Sequence, residues 1–355
     1  MNFSELFMRR ALQLAALGKG FVASNPMVGC VIWHPTEGLI GEGWHQKFGG
    51  AHAEVNAISN VQNQELLKES TLYVTLEPCS HFGKTPPCAD LILSKGIPKV
   101  VVACTDPNPL VSGRGLEKLR QAGVNVEVGL LEKEAWELNR HFMVSQIRKR
   151  PFITLKWAQT ADGFIAREDG SSKWISSAQS RMWVHKWRAE HQAILVGKNT
   201  LLSDNPELTV RDWIGPNPIR MVIDRNNSLP AGLKVLDGQH ETWVFNSKIG
   251  LEKPGLKMVQ LQNPENPLPE FLEYLWQAGI HSLFVEGGII VLQQFIDQGF
   301  WDEAMIFTSN QNWGKGIKGP VLQNPEHVQT SPVGGDLVVR NLNPTSPIRK
   351  GFQSN

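Results

Sequence analysis

The chain has 355 residues, 41% of them hydrophobic and 19% charged, with a formal net charge of +1. That length allows two or three domains with substantial cores, while near-neutral charge supplies no general field for nucleic acid or an anionic membrane. No apolar run is long enough to cross a bilayer, and four cysteines (Cys30, Cys79, Cys88 and Cys104) are too few for a disulfide scaffold, so a soluble cytoplasmic protein is expected.

The N-terminal "MNFSELFMRRALQLAALGKG" carries Glu5 among apolar residues and lacks a small-residue cleavage pattern. It reads as the first helix of the fold, with Ser4 as its cap, rather than as a signal peptide. Short β-rich runs follow at 28–33, 71–76, 99–104 and 124–129, with helices starting near His52, Cys88 and Gly113. The alternation predicts a sheet covered by helices on both faces, the last two strands parallel. The pattern closes near residue 147, where "RKRP" at 148–151 reads as a solvated connector between domains 1–147 and 148–355. Beyond it a second α/β series is predicted. Its strands are "PFITLKWA", "AILVG", "IRMVID", "ETWVF", "LKMVQL" and "SLFVEGG", with helices near 177–190 and 268–278.

Chemistry concentrates first in "GGAHAEVNAI" at 49–58 and "TLEPCSHFGKTPPC" at 75–88. A lone His-x-Glu at a helix start is ordinarily surface decoration, and a single cysteine is ordinarily a buried thiol. Here, however, Pro78 ends a strand and presents Cys79, while Cys88 opens a helix whose dipole favours a thiolate. With His52, two cysteines give zinc three ligands and one open position, which is a catalytic arrangement. Zinc lowers the pKa of bound water to about 7, and Glu54 is placed to move protons without being a ligand. The general zinc-deaminase signature, H-x-E followed by P-C-x-x-C, is met except that the second cysteine lies six residues further along. Cys30 and Cys104 belong to strand patterns and read as core.

At these residues the chain resembles the bifunctional riboflavin-biosynthesis deaminase–reductase family. The motifs that carry the likeness are "NPMVGCV" (25–31), "GEGWHQKFGGAHAEVNAI" (41–58), "TLEPCSHFGKTPPC" with its long cysteine spacing, and "DPNPLVSGRG" (106–115). The resemblance implies a cytidine-deaminase-like three-layer α/β/α domain followed by a dihydrofolate-reductase-like α/β domain. It implies one zinc on His52, Cys79 and Cys88, a proton shuttle at Glu54, and a pyrimidine pocket lined by Asn25, His45, His81, Asp106 and Asn108. Asn25 and Asp106, each before proline, would also serve as plain turn initiators. The implied reaction is hydrolytic deamination of 2,5-diamino-6-(5-phosphoribosylamino)pyrimidin-4-one.

Residues 151–355 hold no G-x-G-x-x-G after a strand, and "VEGG" at 285–288 alone is a tight turn or a weak phosphate cradle. The family likeness again says more, through "LKWAQTADGFIA", "GSSKWISS", "VHKWRAEHQAILVGKNTLLSDNPELTVR" and "VEGG". It implies an NADPH-dependent reductase that converts the ribosyl side chain to ribityl, giving 5-amino-6-(5-phosphoribitylamino)uracil. Lys156, Asp204 and Glu286 fall in the region of sugar reduction, and Ser172, Arg188, Leu208, Arg211 and Glu286 at substrate-binding positions. Ala158, Trp174, Thr200, Gly287 and Gly288 fall at cofactor-binding positions. The arginines suit a phosphate; Trp174 and Leu208 would equally serve as packing. Two departures stand out: His191 where the family commonly has aspartate, and "IFTSNQNWGKGIKGP" (306–320), which lacks the family's alanine–proline pair. Partners are expected to be phosphorylated pyrimidines rather than nucleic acid or membrane, with a homodimer or homotetramer implied. Rival readings are a nucleobase or tRNA-type deaminase and a zinc-stabilised assembly protein. Near-zero charge weighs against the first and the open three-ligand shell with Glu54 against the second.

Overall fold

A computed structural model describes residues 3–22, 24–80, 86–108, 112–172, 174–248 and 253–351. Backbone contacts divide the chain into two compact units, one drawn from residues 1–147 and one spanning Arg148–Arg349.

In the first unit the elements run α1 (Phe3–Ala16), β1 (Gly29–His34), β2 (Gly38–Trp44), α2 (Ala53–Ser59), β3 (Thr71–Val74), α3 (Cys88–Ser94), β4 (Lys99–Val102), α4 (Arg114–Gln121), β5 (Asn125–Val128), α5 (Glu132–Leu138) and α6 (Arg140–Arg148). The strands form one sheet in the order β2-β1-β3-β4-β5. β2, β1 and β3 are antiparallel neighbours; β3, β4 and β5 are parallel. Strand side chains alternate between two cores, as the two-residue period requires. Cys30, Ile32, Leu72, Val74, Val100 and Val102 pack with α2, α3 and α4. Val31, Tyr73 and Val101 pack on the other face with α1, α5 and α6. This is the expected three-layer α/β/α arrangement, and Cys30 and Cys104 are fully buried in it. Ser4 lies inside α1 instead of capping it, with its hydroxyl 3.3 Å from that of Tyr73.

The second unit continues with β6 (Phe152–Gln159), β7 (Phe164–Ala166), α7 (Ala178–Glu190), β8 (Ala193–Val196), α8 (Lys198–Asp204), β9 (Ile219–Ile223), β10 (Thr242–Asn246), β11 (Leu256–Gln260), α9 (Leu268–Gln277), β12 (Ser282–Glu286), α10 (Ile289–Asp297), β13 (Glu303–Thr308), β14 (Ile317–Lys318), β15 (Glu326–Val333) and β16 (Asp336–Leu342). Its main sheet has the order β11-β10-β9-β8-β12-β6-β13-β16-β15. All strands from β11 to β13 are parallel neighbours, and β16 and β15 add an antiparallel edge. α9 and α10 cover one face and α7 and α8 the other. The connector reading of "RKRP" fails at Arg150. Its guanidinium grips the fully buried Asp302 carboxylate at 2.6 and 3.1 Å, so the arginine is an anchor of the second unit.

Candidate active sites

The first site is assembled by three chain segments at one end of the five-stranded sheet. His52 is the N-cap residue of α2, Cys79 sits on the turn after β3, and Cys88 is the first residue of α3. Their ligand atoms lie within 4.8 Å of one another. His52 Nδ1 is 3.6 Å from Cys79 Sγ and 3.3 Å from Cys88 Sγ. With bonds of about 2.0–2.3 Å, a tetrahedral zinc shell spaces its ligand atoms roughly 3.5–3.8 Å apart, so this set fits the ion. Cys79 Sγ accepts the Cys88 backbone N–H at 3.3 Å and faces His52, which favour its thiolate. The start of α3 thus supports a thiolate on Cys79 as well as carrying Cys88 as its first residue.

Glu54, in the first turn of α2, is 3% exposed, and its Oε2 is a buried oxygen with no hydrogen-bond partner. Burial raises its pKa to about 7, against a smaller opposing pull from His52. An unsatisfied carboxylate oxygen beside three convergent soft ligands is what a metal-linked proton carrier requires. His45 lies edge-on to His52, with ring centroids 5.8 Å apart. Asn25 Nδ2–H donates to His45 Nε2 at 3.2 Å, and the other ring nitrogen donates to the Ala51 carbonyl at 3.1 Å. Burial lowers the pKa of His45, with the His52 charge adding to the effect.

The second site is a cavity of about 1250 Å³ in the second unit, opening at the carboxyl ends of the parallel strands. It is lined by Lys156 and Ala158 of β6, by Ser172 and Trp174 of the loop before α7, and by Arg188 of α7. Thr200 and Asp204 of α8, Leu208, Arg211, and Glu286, Gly287 and Gly288 complete the set named above. Lys156 and Glu286 are register partners on neighbouring strands. Arg188 donates to both oxygens of Glu286 at 2.6 and 3.0 Å. Burial pushes Glu286 up, but the charge and hydrogen bonds of Arg188, then Lys156, hold it below the usual carboxylate value. Burial lowers Lys156, partly offset by Glu286.

Two family models match this chain. The cytidine and deoxycytidylate deaminase zinc-binding region covers residues 1–104, and the RibD C-terminal domain covers residues 151–334. The riboflavin biosynthesis protein RibD of Aquifex aeolicus is 42% identical over 351 residues, 97% of this chain and 93% of that one. That of Escherichia coli is 37% identical, over 89% and 90% of the two chains. Among solved structures, the diaminohydroxyphosphoribosylaminopyrimidine deaminase/5-amino-6-(5-phosphoribosylamino)uracil reductase of Thermotoga maritima superposes with a TM-score of 0.87. It is 38% identical and covers 96% of this chain and 98% of its own. Acinetobacter baumannii RibD gives a TM-score of 0.86 at 32% identity, with the same coverage. The chain belongs to the RibD family.

Membership in the RibD family makes this a bifunctional deaminase–reductase of riboflavin biosynthesis, with its zinc-binding region in the first unit. Individual residues carry the family's motifs with varying directness. His81 lies outside the described residues. Asp106 Oδ1 accepts the Asn108 N–H at 2.8 Å, so the turn-initiator role of this aspartate is real whatever else it does. Arg188 is bound to Glu286 and to the Thr209 carbonyl, whereas Arg211, half-exposed, holds Glu207 and Thr209. Leu208 packs into the core at 2% exposure with φ +59°, a strained backbone for a branched side chain, of the kind that accumulates at binding sites. Trp174 is 64% exposed, with the Arg181 guanidinium 4.6 Å from its ring centroid. His191 is buried between Thr154 and the Trp187 carbonyl, a structural position.

Sequence reading passed over three residues. His185 lines the cavity and accepts the Arg211 N–H on Nδ1. Asn139, at the end of α5, bonds both the N–H and the carbonyl of Met27, 112 positions away, and so fixes the loop that presents Asn25. Glu77 is the third. No local spacing announces such long-range tethers; for Glu77 alone the signal was its place in "TLEPC".

Proposed function

We propose that the first unit deaminates 2,5-diamino-6-(5-phosphoribosylamino)pyrimidin-4-one and that the second reduces the product with NADPH to 5-amino-6-(5-phosphoribitylamino)uracil. The observation that carries the reading is the buried Glu54 carboxylate, with one oxygen unsatisfied, beside convergent His52, Cys79 and Cys88. Zinc held by His52, Cys79 and Cys88 would supply a Lewis acid that makes water a nucleophile at neutral pH. Glu54 would take the proton from the attacking water and return protons to the ring nitrogen and departing amine, so that ammonia leaves and a carbonyl remains. A carboxyl group near 7 can serve in both directions. Asn25, His45, His81, Asp106 and Asn108 hold the pyrimidine.

In the second unit NADPH would supply the hydride. Gly287, Gly288, Thr200, Ala158 and Trp174 would hold the dinucleotide, while Ser172, Leu208 and Arg211 would hold the phosphorylated sugar. Arg188 fixes Glu286, and Glu286 with Lys156 and Asp204 orients the sugar's polar groups around the carbon that receives the hydride. The test is sequential. Zinc-loaded protein is given the diaminopyrimidine alone, and ammonia is measured; NADPH is then added and its oxidation followed. Ammonia first and oxidation second is the expected record, and silence in the first stage with zinc bound would reject the substrate.

A further inference from the structure

After β4 come Asp106 and Asn108, two of the residues assigned to the pyrimidine, and Gly113 and Gly115 stand at the start of α4. Backbone amides from both places converge on one side chain. Asp106 N–H and Gly113 N–H donate to Glu77 Oε2 at 3.3 and 3.0 Å, and Gly115 N–H donates to Oε1 at 3.1 Å. Glu77 is 4% exposed and lies immediately before the Pro78–Cys79 turn. Its own N–H donates to the Cys104 carbonyl at 3.0 Å, so both its backbone and its side chain are fixed. Gly113, the N-cap residue of α4 with φ +77°, offers no side chain to the first turn, and the Glu77 carboxylate fills that role from 36 positions away. Contact is close enough that a Cβ on Gly115 would stand 2.0 Å from the Pro78 carbonyl oxygen. The Gly113 and Gly115 amides of "SGRG" are therefore filled from within by a carboxylate and are not free for a substrate phosphate.

We propose that Glu77 is a positioning residue of the deaminase. It ties Asp106 and the start of α4 to the turn that carries Cys79, and so sets where Asp106 and Asn108 stand relative to the metal ligands. This rests on the deaminase reading above. Glu77 is not one of the metal ligands; its side chain holds the backbone amides of Asp106, Gly113 and Gly115 and acts on the pyrimidine through them. The β3–β4 ladder from Thr71↔Lys99 to Val74↔Val102 ends before Glu77, and the backbone bond of Glu77 to Cys104 does not involve its side chain.

Glu77→Gln in the full-length, zinc-loaded protein tests this. An amide can accept on one side only, and its NH2 would confront either Gly115 N–H or the Asp106 and Gly113 N–H pair. Zinc content should stay at the wild-type level, and hydrogen exchange at Gly113 and Gly115 should quicken about tenfold. KM for the diaminopyrimidine should rise about tenfold with kcat changed by less than about threefold. Glu77→Ala should show the same split more strongly wherever it folds, and Glu77→Gln keeps the test open if it does not. An unchanged KM and unchanged exchange in Glu77→Gln, with an active wild type, would overturn the proposal alone. Loss of zinc with kcat falling at constant KM would overturn it in favour of support for the ligand turn. A wild type that releases no ammonia would sink the deaminase reading and this proposal together.

Discussion

On the reading proposed above, the two units hold the same kind of substrate, a phosphorylated pyrimidine riboside, with opposite economies of residues. In the first, four side chains within one small cluster would carry the chemistry, and three of them sit at the start of α2 or α3. In the second, the candidate residues come from strands, helices and loops around a cavity of about 1250 Å³. The reason is chemical. A metal centre tolerates few donor types and short bonds, so its residues must be fixed in kind and place. Where a bound dinucleotide brings the reactive hydride, the protein supplies shape and alignment, which many different side chains can share.

If the contrast is right, damage should be concentrated in the first unit and distributed in the second. Stripping zinc with a chelator, or Cys79→Ser, should abolish ammonia release while leaving NADPH oxidation of the deaminated intermediate intact; parallel loss of both rates would break the separation. Glu54→Gln should keep the metal yet slow deamination by roughly 10²–10⁴-fold, the range for removing a general acid–base group. Metal analysis beside the ammonia rate distinguishes this from ligand loss.

In the second unit the largest single effect should come from Glu286→Gln, which leaves Arg188 and Lys156 in a buried site without their carboxylate. Breaking such a pair costs about 3–5 kcal/mol where burial is complete; at 11% and 10% side-chain exposure the lower end is expected, about 3 kcal/mol, read by urea unfolding. Reductase activity should fall and deamination should not. The same pair sets an acid limit. Because the folded pKa of Glu286 lies below its usual 4.5, its stabilisation is complete above that value and is lost as pH falls through the lower folded value. Glu286→Gln should flatten that part of the acid-unfolding curve.

The same difference governed what could be read from the sequence. His52, Glu54, Cys79 and Cys88 were legible because helix starts and a strand-ending proline fixed their setting locally. The layered α/β order was legible because buried parallel strands are continuous apolar runs. β15 and β16 went unread although their signal was present: Gly334 and Gly335, with φ of +56° and +90°, form the two-residue turn between them. The polar, partly exposed β15, with Pro332 at the sheet edge, hid the strand behind loop-like composition. The Arg188–Glu286 pair was not legible as a pair, since 98 positions separate residues that only the sheet brings together.

Residues 306–320, where the sequence reading expected a departure from the family pattern, give the finest test of distributed function. They are tightly stitched into the second unit. Asp162 accepts the Trp313 and Gly314 N–H groups at 3.0 and 2.7 Å, β14 pairs with β7, and Ile317 reaches the cavity. Gln311 Nε2 donates to the Trp174 and Ile175 carbonyls at 3.4 and 3.3 Å, so it holds the loop that carries the proposed cofactor-facing tryptophan. These are long, partly exposed bonds, worth about 1 kcal/mol together. Gln311→Ala should therefore raise KM for NADPH about fivefold, leave kcat nearly unchanged, and leave ammonia release untouched. An effect as large as that of Glu286→Gln would mean that the second unit, too, depends on a single constellation. No effect would mean that Trp174 is placed without Gln311, its stacking on Arg181 included, and that the cavity does not lean on this segment.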